Sequence, residues 1–132
     1  MDSDGGNSLP GQPTLRVMPM PSDTNAAGNI FGGWLMSQVD IAGSIIAIQR
    51  ARGRVVTVAV NEFQFYKPVH VGDIVSIYAD ITHVGITSIT VKVIVYTTHV
   101  SETGISNKVA DATLTYVAID ERLNKRPVPP DA

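Results

Sequence analysis

Asp40 is a carboxylate in the middle of a segment that is otherwise almost wholly apolar, with Val39 and Ile41 on either side of it. Burying an ionised carboxylate without a partner is energetically costly, so this position needs an explanation. One interpretation is structural: a nearby serine or backbone group bonds the carboxylate, or the segment has a narrow solvated stripe. The other is chemical: the carboxylate acts as a general base or as a nucleophile.

A glycine-rich segment precedes this aspartate and ends with Gly32 and Gly33. Free N–H groups at the start of a helix, with no side chain in the way, can bind an oxyanion or a phosphate. The same glycines also fit a tight turn or a close backbone contact. Together with a carboxylate on the same predicted helix, they indicate a site for acyl transfer.

A group of cations is the third candidate: Arg50, Arg52 and Arg54, with Lys67 after the next predicted strand. Cations near the C-terminus of a helix are favoured by the helix dipole, which is one explanation of the group. The other explanation is that these side chains bind the phosphates of an anionic ligand.

The composition argues against several other classes of function. A formal net charge of -2 disfavours a general nucleic-acid binder. The sequence has no cysteine, which excludes thiolate nucleophiles and cysteine-ligated zinc. The three histidines lie far apart, without the spacing of a metal site, so we expect no metal. The sequence shows no membrane span and no signal peptide, so we expect a cytoplasmic protein.

Hydrophobic periodicity predicts the elements that position these residues. An apolar segment from Gly33 to Arg50 predicts one long helix, and the residues Ala51 to Gly53 are expected to terminate it. Thr14 to Met20 predicts a short edge strand before it. Four segments after the helix have the composition of strands, namely 55–66, 75–82, 89–96 and 108–119. The predicted fold class is therefore α+β, with an antiparallel sheet that packs on one helix.

The chain of 132 residues has the length of one domain. We place this domain at residues 14–123. A disordered lead-in at 1–13 and a flexible tail at 124–132 are expected because glycine, proline and polar residues dominate both ends. The predicted helix is apolar on more sides than one sheet face can cover. We therefore expect another subunit to cover the helix or an edge of the sheet.

Three segments of the chain resemble a known family. Their sequences are MPSDTNAAGNIFGGWLMSQVD, which ends at Asp40, GRVVTVAVN, which ends at Asn61, and KPVHVGD, which ends at Asp73. They are similar to the YciA-type acyl-CoA thioesterases of the hot-dog superfamily. The resemblance implies a hot-dog fold, in which a curved antiparallel sheet wraps one long central helix. It also implies homodimers with a continuous sheet across two subunits, assembled into hexamers as trimers of dimers.

The resemblance implies an activity as well: hydrolysis of acyl-CoA to the free acid and CoA, without a metal or redox cofactor. It implies that Asp40 is catalytic and that Asn25 contributes from the other subunit. The thioester oxygen would then point at N–H groups near Gly32 and Gly33. The pantetheine arm would follow the strand that begins at Val55. The residues expected to bind substrate are Arg54, Val56, Thr57, Val58 and Lys67, with Arg54 a candidate for contacts to the CoA phosphates.

Three alternatives stay open at this point. A hot-dog dehydratase or hydratase would need a histidine paired with an acid, and no histidine falls near the predicted helix. A non-catalytic acyl-CoA-binding or regulatory module would bind CoA without turnover. A purely structural oligomer would not bind CoA. The sequence does not distinguish a base from a nucleophile at Asp40, and it does not specify the acyl chain.

Overall fold

The computed structural model describes residues 9–99, 101 and 104–131. Its elements are a short strand β1 (Leu15–Val17), a helix α1 (Gly32–Ala51) and four long strands, β2 (Val55–Phe65), β3 (Asp73–Val84), β4 (Ser88–His99) and β5 (Asn107–Ala118). One turn of 3₁₀ helix, Pro21–Asp23, lies between β1 and α1. The elements follow the predicted order, and β1 is shorter than predicted. Residues 1–8 of the expected lead-in lie outside the described residues.

The five strands form one antiparallel sheet in the order β1-β3-β4-β5-β2. The helix α1 packs against β2, β3, β4 and β5, so the sheet curves around it. The long strands supply most of the core through alternating apolar residues such as Val91, Val93 and Val95, which are fully buried. This arrangement confirms the predicted α+β architecture.

The helix buries one stripe of mostly small side chains, formed by Leu35, Val39, Ala42, Gly43, Ala47 and Ala51. Residues three or four apart lie on the same face of a helix, and small side chains let the sheet approach that face closely. The helix ends because Arg52 adopts the left-handed conformation, with φ 53°. Among the described residues, no helix has the length and hydropathy needed to cross a membrane.

Large apolar side chains are exposed on both α1 and β2. They are Met36, Ile41 and Ile48 on the helix and Val56, Val58, Val60 and Phe65 on the strand. The strand β2 has 11 residues and lies at an edge of the sheet, where its free backbone groups can pair with another chain. The helix and the edge strand thus expose apolar surface that the sheet of one chain does not cover, as the sequence predicts.

The C-terminal segment packs against the domain, which differs from the expected flexible tail. Val128 packs on the hydrophobic core, and its N–H donates to the carbonyl of Ile86 at 2.8 Å. The guanidinium of Arg126 donates to the carbonyls of Ala51 and Ile119. Arg126 thus satisfies a carbonyl at the C-terminus of α1, a long-range contact that the local composition of the segment does not reveal.

Candidate active site

Two hydroxyl groups from the sheet hold the carboxylate of Asp40. Thr57 on β2 and Tyr116 on β5 lie directly opposite each other in the sheet. Thr57 Oγ1 donates to Asp40 Oδ1 at 2.8 Å, and the Tyr116 hydroxyl donates to the same oxygen at 2.9 Å. The neighbouring serines, Ser37 and Ser44, instead donate to backbone carbonyls of the helix. The partners of this carboxylate therefore come from the sheet and not from a serine of the helix.

The second carboxylate oxygen of Asp40 is free. Within the described part of the chain, no hydrogen bond or ion pair reaches Oδ2. Every buried side-chain nitrogen or oxygen of the described residues has a partner, so the unpaired Oδ2 is open to solvent. An ionised carboxylate with one oxygen anchored and the other accessible is suited to accept a proton or to attack a carbonyl carbon.

Tyr116 is fully buried, and its hydroxyl stays protonated. Burial raises the pKa of Tyr116 above its ordinary value, and the adjacent charge of Asp40 and the hydrogen bond to it raise this pKa further. The nearby hydroxyl of Thr57 acts in the opposite direction and is outweighed. Tyr116 is therefore a permanent hydrogen-bond donor to the carboxylate at neutral pH.

A separate pocket of about 380 Å³ lies at the N-terminus of α1. Asn25, Gly32, Phe65, Tyr66 and Lys67 are among the residues that line it. The N–H groups of Gly32 and Gly33 belong to the first turn of the helix, which leaves such groups without an intrahelical acceptor. Of these two glycines Gly32 lines the pocket, which therefore combines apolar walls with an N–H donor at the start of the helix.

Asn25 is held so that its amide nitrogen is available. Its Oδ1 accepts hydrogen bonds from the N–H groups of Ala27 and Asn29, at 2.9 and 3.2 Å, which closes the turn before the helix. These bonds engage the oxygen of the side chain and leave Nδ2 as a donor. Nδ2 has no partner in the described part of the chain. Asn25 can thus donate a hydrogen bond to a ligand in the pocket.

A buried carboxylate supports one wall of this pocket. The Tyr66 hydroxyl donates to Asp111 Oδ2 at 2.9 Å, and Lys108 Nζ lies 3.0 Å from the same oxygen. Burial acts to raise the pKa of Asp111, but the hydrogen bonds from Lys108 and Tyr66 and the charge of Lys92 outweigh it and lower the pKa. Asp111 therefore stays ionised at neutral pH and keeps the Tyr66 ring in place.

One chain does not bring Asp40 and the glycines together, although both lie on α1. Gly32 precedes Asp40 by two turns of helix, which is about 12 Å along the axis. Asp40 does not line the pocket that contains Asn25 and Gly32. Within a single protomer, the rise of the helix therefore separates the carboxylate from the glycines of the predicted acyl-transfer site.

The four cationic residues identified from the sequence lie at separate positions in one chain. Arg52, Arg54, Arg122 and Arg126 line an open cleft of about 590 Å³ beside the start of β2. Lys67 follows the opposite end of that strand and donates to Asn107 at 3.2 Å. Arg50 bonds the carbonyl of Pro129. Within one chain, the length of β2 therefore separates Lys67 from the arginines.

The remaining predicted substrate-binding residues lie along β2. Thr57 contacts Asp40, as described above. Val56 and Val58 are exposed, at 40% and 54% of their surface. They are therefore accessible to a ligand or to a partner chain at this edge of the sheet.

A family model described as "Thioesterase superfamily" matches residues 27–103 of the sequence. The chain belongs to the thioesterase superfamily. The match covers the glycine-rich entry, the whole of α1 and the strands from β2 to β4.

Individual members of the superfamily match over nearly the whole chain. The acyl-CoA thioester hydrolase YciA of Escherichia coli strain K12 is 46% identical over 121 residues, which are 90% of this chain and 92% of that protein. The crystal structure of a hexameric thioesterase from Yersinia pestis is 47% identical, with a TM-score of 0.87, and the match covers 94% of this chain and 100% of that one. A hexameric hotdog fold thioesterase of Campylobacter jejuni is 42% identical, with a TM-score of 0.84 and coverage of 90% and 91%. The predicted family and the hot-dog fold are thus confirmed.

Sequence analysis of this thioesterase-superfamily chain missed two residues of the site, Tyr116 and Gly43. The strand position of Tyr116 indicated only core or interface packing. A Cβ at Gly43 would lie 2.3 Å from the Tyr116 hydroxyl, so a larger residue would push the tyrosine away. Glycine inside a helix is unfavourable by about 1 kcal/mol relative to alanine, and its presence there was the one available signal of a close contact.

Proposed function

We propose that this protein hydrolyses the thioester bond of acyl-CoA and releases the free acid and CoA. The observation that carries the proposal is the carboxylate of Asp40, which is anchored through Oδ1 and accessible at Oδ2. Its similarity to the acyl-CoA thioester hydrolase YciA supports the same substrate class. A binding module has no need of such a carboxylate beside its ligand.

Two routes of hydrolysis are compatible with this carboxylate. As a general base, Asp40 takes a proton from water while the water oxygen bonds to the thioester carbon. As a nucleophile, it bonds to that carbon directly, and water then hydrolyses the mixed anhydride. In both routes the C–S bond breaks and the sulfur leaves as the CoA thiolate, which gains a proton from Asp40 or from solvent. Because a thiolate is a good leaving group, a strong general acid is not essential.

The pocket at the helix N-terminus supplies the second half of the proposed site. The N–H groups near Gly32 and Gly33 would bind the developing oxyanion, and Asn25 Nδ2 would orient the carbonyl or the water. Preorganised donors of this kind contribute roughly 3–4 kcal/mol to transition-state stabilisation. Because this pocket and Asp40 are separate within one chain, we assign Gly32, Gly33 and Asn25 of each site to the partner subunit.

A homodimer joined through β2 would bring the two halves together. The exposed edge of β2 and its apolar side chains support antiparallel pairing with β2 of a second copy. That pairing places the end of one β2 beside the start of the other. The hexameric state of the matched thioesterases from Yersinia pestis and Campylobacter jejuni supports a further assembly of three such dimers.

The CoA portion of the substrate would then extend along β2 towards the arginine cleft. The pantetheine arm would contact Thr57 and the exposed Val56 and Val58. Arg54 would bind a phosphate, and antiparallel pairing of β2 would bring Lys67 of the partner subunit to the same end. The side chain of Arg54 has no partner in the described part of the chain, which supports a role for it in ligand binding.

Replacing Arg54 tests whether this side chain binds the nucleotide part of the substrate without taking part in hydrolysis of the thioester. We expect Arg54→Ala to raise KM for an acyl-CoA about 10-fold, since a hydrogen bond to a charged group contributes about 1.5–3 kcal/mol. The same variant should leave hydrolysis of the matching acyl-pantetheine unchanged, because that substrate has no nucleotide phosphates. Steady-state kinetics on the two substrates measures this, with Arg122→Ala as a matched cleft variant. An equal effect on both substrates would exclude phosphate binding by Arg54.

The first test of the proposed activity is thiol release from a panel of acyl-CoAs, from acetyl to palmitoyl. Colorimetric thiol detection has no background from a protein without cysteine. We expect turnover of an acyl-CoA of at least one chain length. A metal chelator should leave the rate unchanged, because we propose that no metal or redox cofactor takes part. Stoichiometric binding of CoA without turnover would instead identify a binding module. A cytoplasmic location stays a prediction.

A further inference from the structure

We infer that Tyr116, which reaches the helix because position 43 is glycine, is a positioning residue that fixes Asp40 Oδ1 and leaves Oδ2 as the reacting oxygen. The inference rests on the proposed function, because it specifies which atom of the proposed catalytic carboxylate acts. It adds a residue from a strand other than β2 to the site. It also explains a glycine in the middle of the helix.

The Tyr116 hydroxyl contacts Asp40 at two atoms. It lies 2.9 Å from Oδ1 and 3.0 Å from the backbone carbonyl oxygen of the same residue. A single O–H group is therefore shared between the main chain and the side chain of Asp40. This geometry ties the carboxylate to its own backbone and restricts rotation about the side-chain bonds. Thr57, on the neighbouring strand, also donates to Oδ1, so the same oxygen accepts hydrogen bonds from both hydroxyls.

The burial of Tyr116 makes this contact rigid. None of its surface is exposed, and it is the largest of the fully buried side chains. A buried phenol hydroxyl needs a hydrogen-bond partner, because leaving it without one costs about 1–3 kcal/mol. The ring is thus fixed by the core and the hydroxyl by Asp40. The buried ring on β5 therefore fixes the position of the carboxylate.

Gly43 makes the approach of the tyrosine possible. It lies three residues after Asp40, on the same face of α1. A Cβ at this position would lie 2.3 Å from the Tyr116 oxygen and 3.1 Å from the ring carbon that carries it. Both distances are shorter than van der Waals contact. An alanine would therefore displace the hydroxyl from Asp40.

Removing the hydroxyl alone gives the direct test. We expect Tyr116→Phe to lower kcat for acyl-CoA hydrolysis about 10-fold, the factor that corresponds to loss of one hydrogen bond to a charged group. KM should stay unchanged, because Tyr116 does not contact the substrate. Tyr78→Phe is the matched control, since that buried tyrosine also donates to a backbone carbonyl, that of Gly11, far from Asp40. Its kcat should equal that of the wild type.

Two double variants distinguish positioning from simple packing. Gly43→Ala should lower kcat as Tyr116→Phe does, and combining the two should lower it less than the product of the single effects, because both act on one hydroxyl. In the Asp40→Asn background, Tyr116→Phe should cause no further loss. Circular dichroism and thermal melts confirm that each variant is folded.

Several outcomes would overturn the inference. They are wild-type kcat in Tyr116→Phe, an equal loss in Tyr78→Phe, or independent effects of Gly43→Ala and Tyr116→Phe. Each of these can arise in an enzyme that hydrolyses acyl-CoA and depends on Asp40. Absence of turnover in the wild type would instead contradict the proposed function, so the two failures are distinct.

Discussion

We expect Asp40→Asn to lower kcat for acyl-CoA hydrolysis by at least about 100-fold, the low end of the effect of a positioned base. The amide has nearly the size and shape of the carboxylate, and its oxygen can still accept the hydroxyls of Thr57 and Tyr116. It can neither take a proton from water nor attack a thioester. The loss should therefore appear in kcat, with KM close to that of the wild type. Thiol release at saturating acyl-CoA measures it.

The control for this variant is Ser44→Ala, one helical turn further along. Within the residues that the structure describes, Ser44 donates only to the carbonyl of Ile41, so we expect Ser44→Ala to leave kcat unchanged. Full activity in Asp40→Asn would remove this carboxylate from the mechanism and leave only the fold and the family. Trapping of a covalent acyl-enzyme in the wild type would favour the nucleophilic route, and incorporation of solvent oxygen only into the released acid would favour the general base.

The main elements of this fold could be predicted from the sequence because their periodicities are local. The helix around Asp40 is apolar over five turns, and the long strands alternate with period two. The exposed apolar surface was also predictable, because the helix is apolar on more sides than one face of a sheet can cover. The resemblance to YciA-type thioesterases added the fold name and the roles of Asp40 and Asn25.

The contacts that shape the site could not be predicted in this way. Tyr116 is 76 residues away from Asp40 in sequence, and the packing of α1 on β5 brings them together. The docking of Arg126 onto the end of the helix is another long-range contact, between residues 75 apart. Local composition predicts neither contact, because each contact joins segments that become neighbours only in the folded chain.

The separation of Asp40 from Gly32 has a different origin. Both residues were identified from the sequence, and their helix was predicted correctly. The distance between them follows from the rise per residue. Under the proposed function, each chain therefore carries two incomplete halves of a site. The proposed function therefore depends on a second copy of the chain, which makes assembly a requirement for catalysis and not only for stability.

Mixing two inactive variants tests that requirement. Asn25→Asp keeps the oxygen that closes its turn and removes the amide donor, so we expect a loss of about 100-fold, as for removal of one oxyanion donor. Coexpression of Asn25→Asp with Asp40→Asn should restore about a quarter of wild-type activity, because a site shared between subunits draws its two residues from independent chains. Each variant coexpressed with itself is the control.

The recovered activity distinguishes a site within one chain from a site shared between two chains, because the two arrangements predict different fractions of sites with both native residues. If Asp40 and Asn25 of the same chain served one site, every site in the mixture would carry one substitution and no recovery would occur. If they come from two chains, a fraction of the sites contains both native residues whatever the size of the oligomer. Recovery near a quarter therefore supports the shared site, whereas activity no higher than that of the single variants contradicts it.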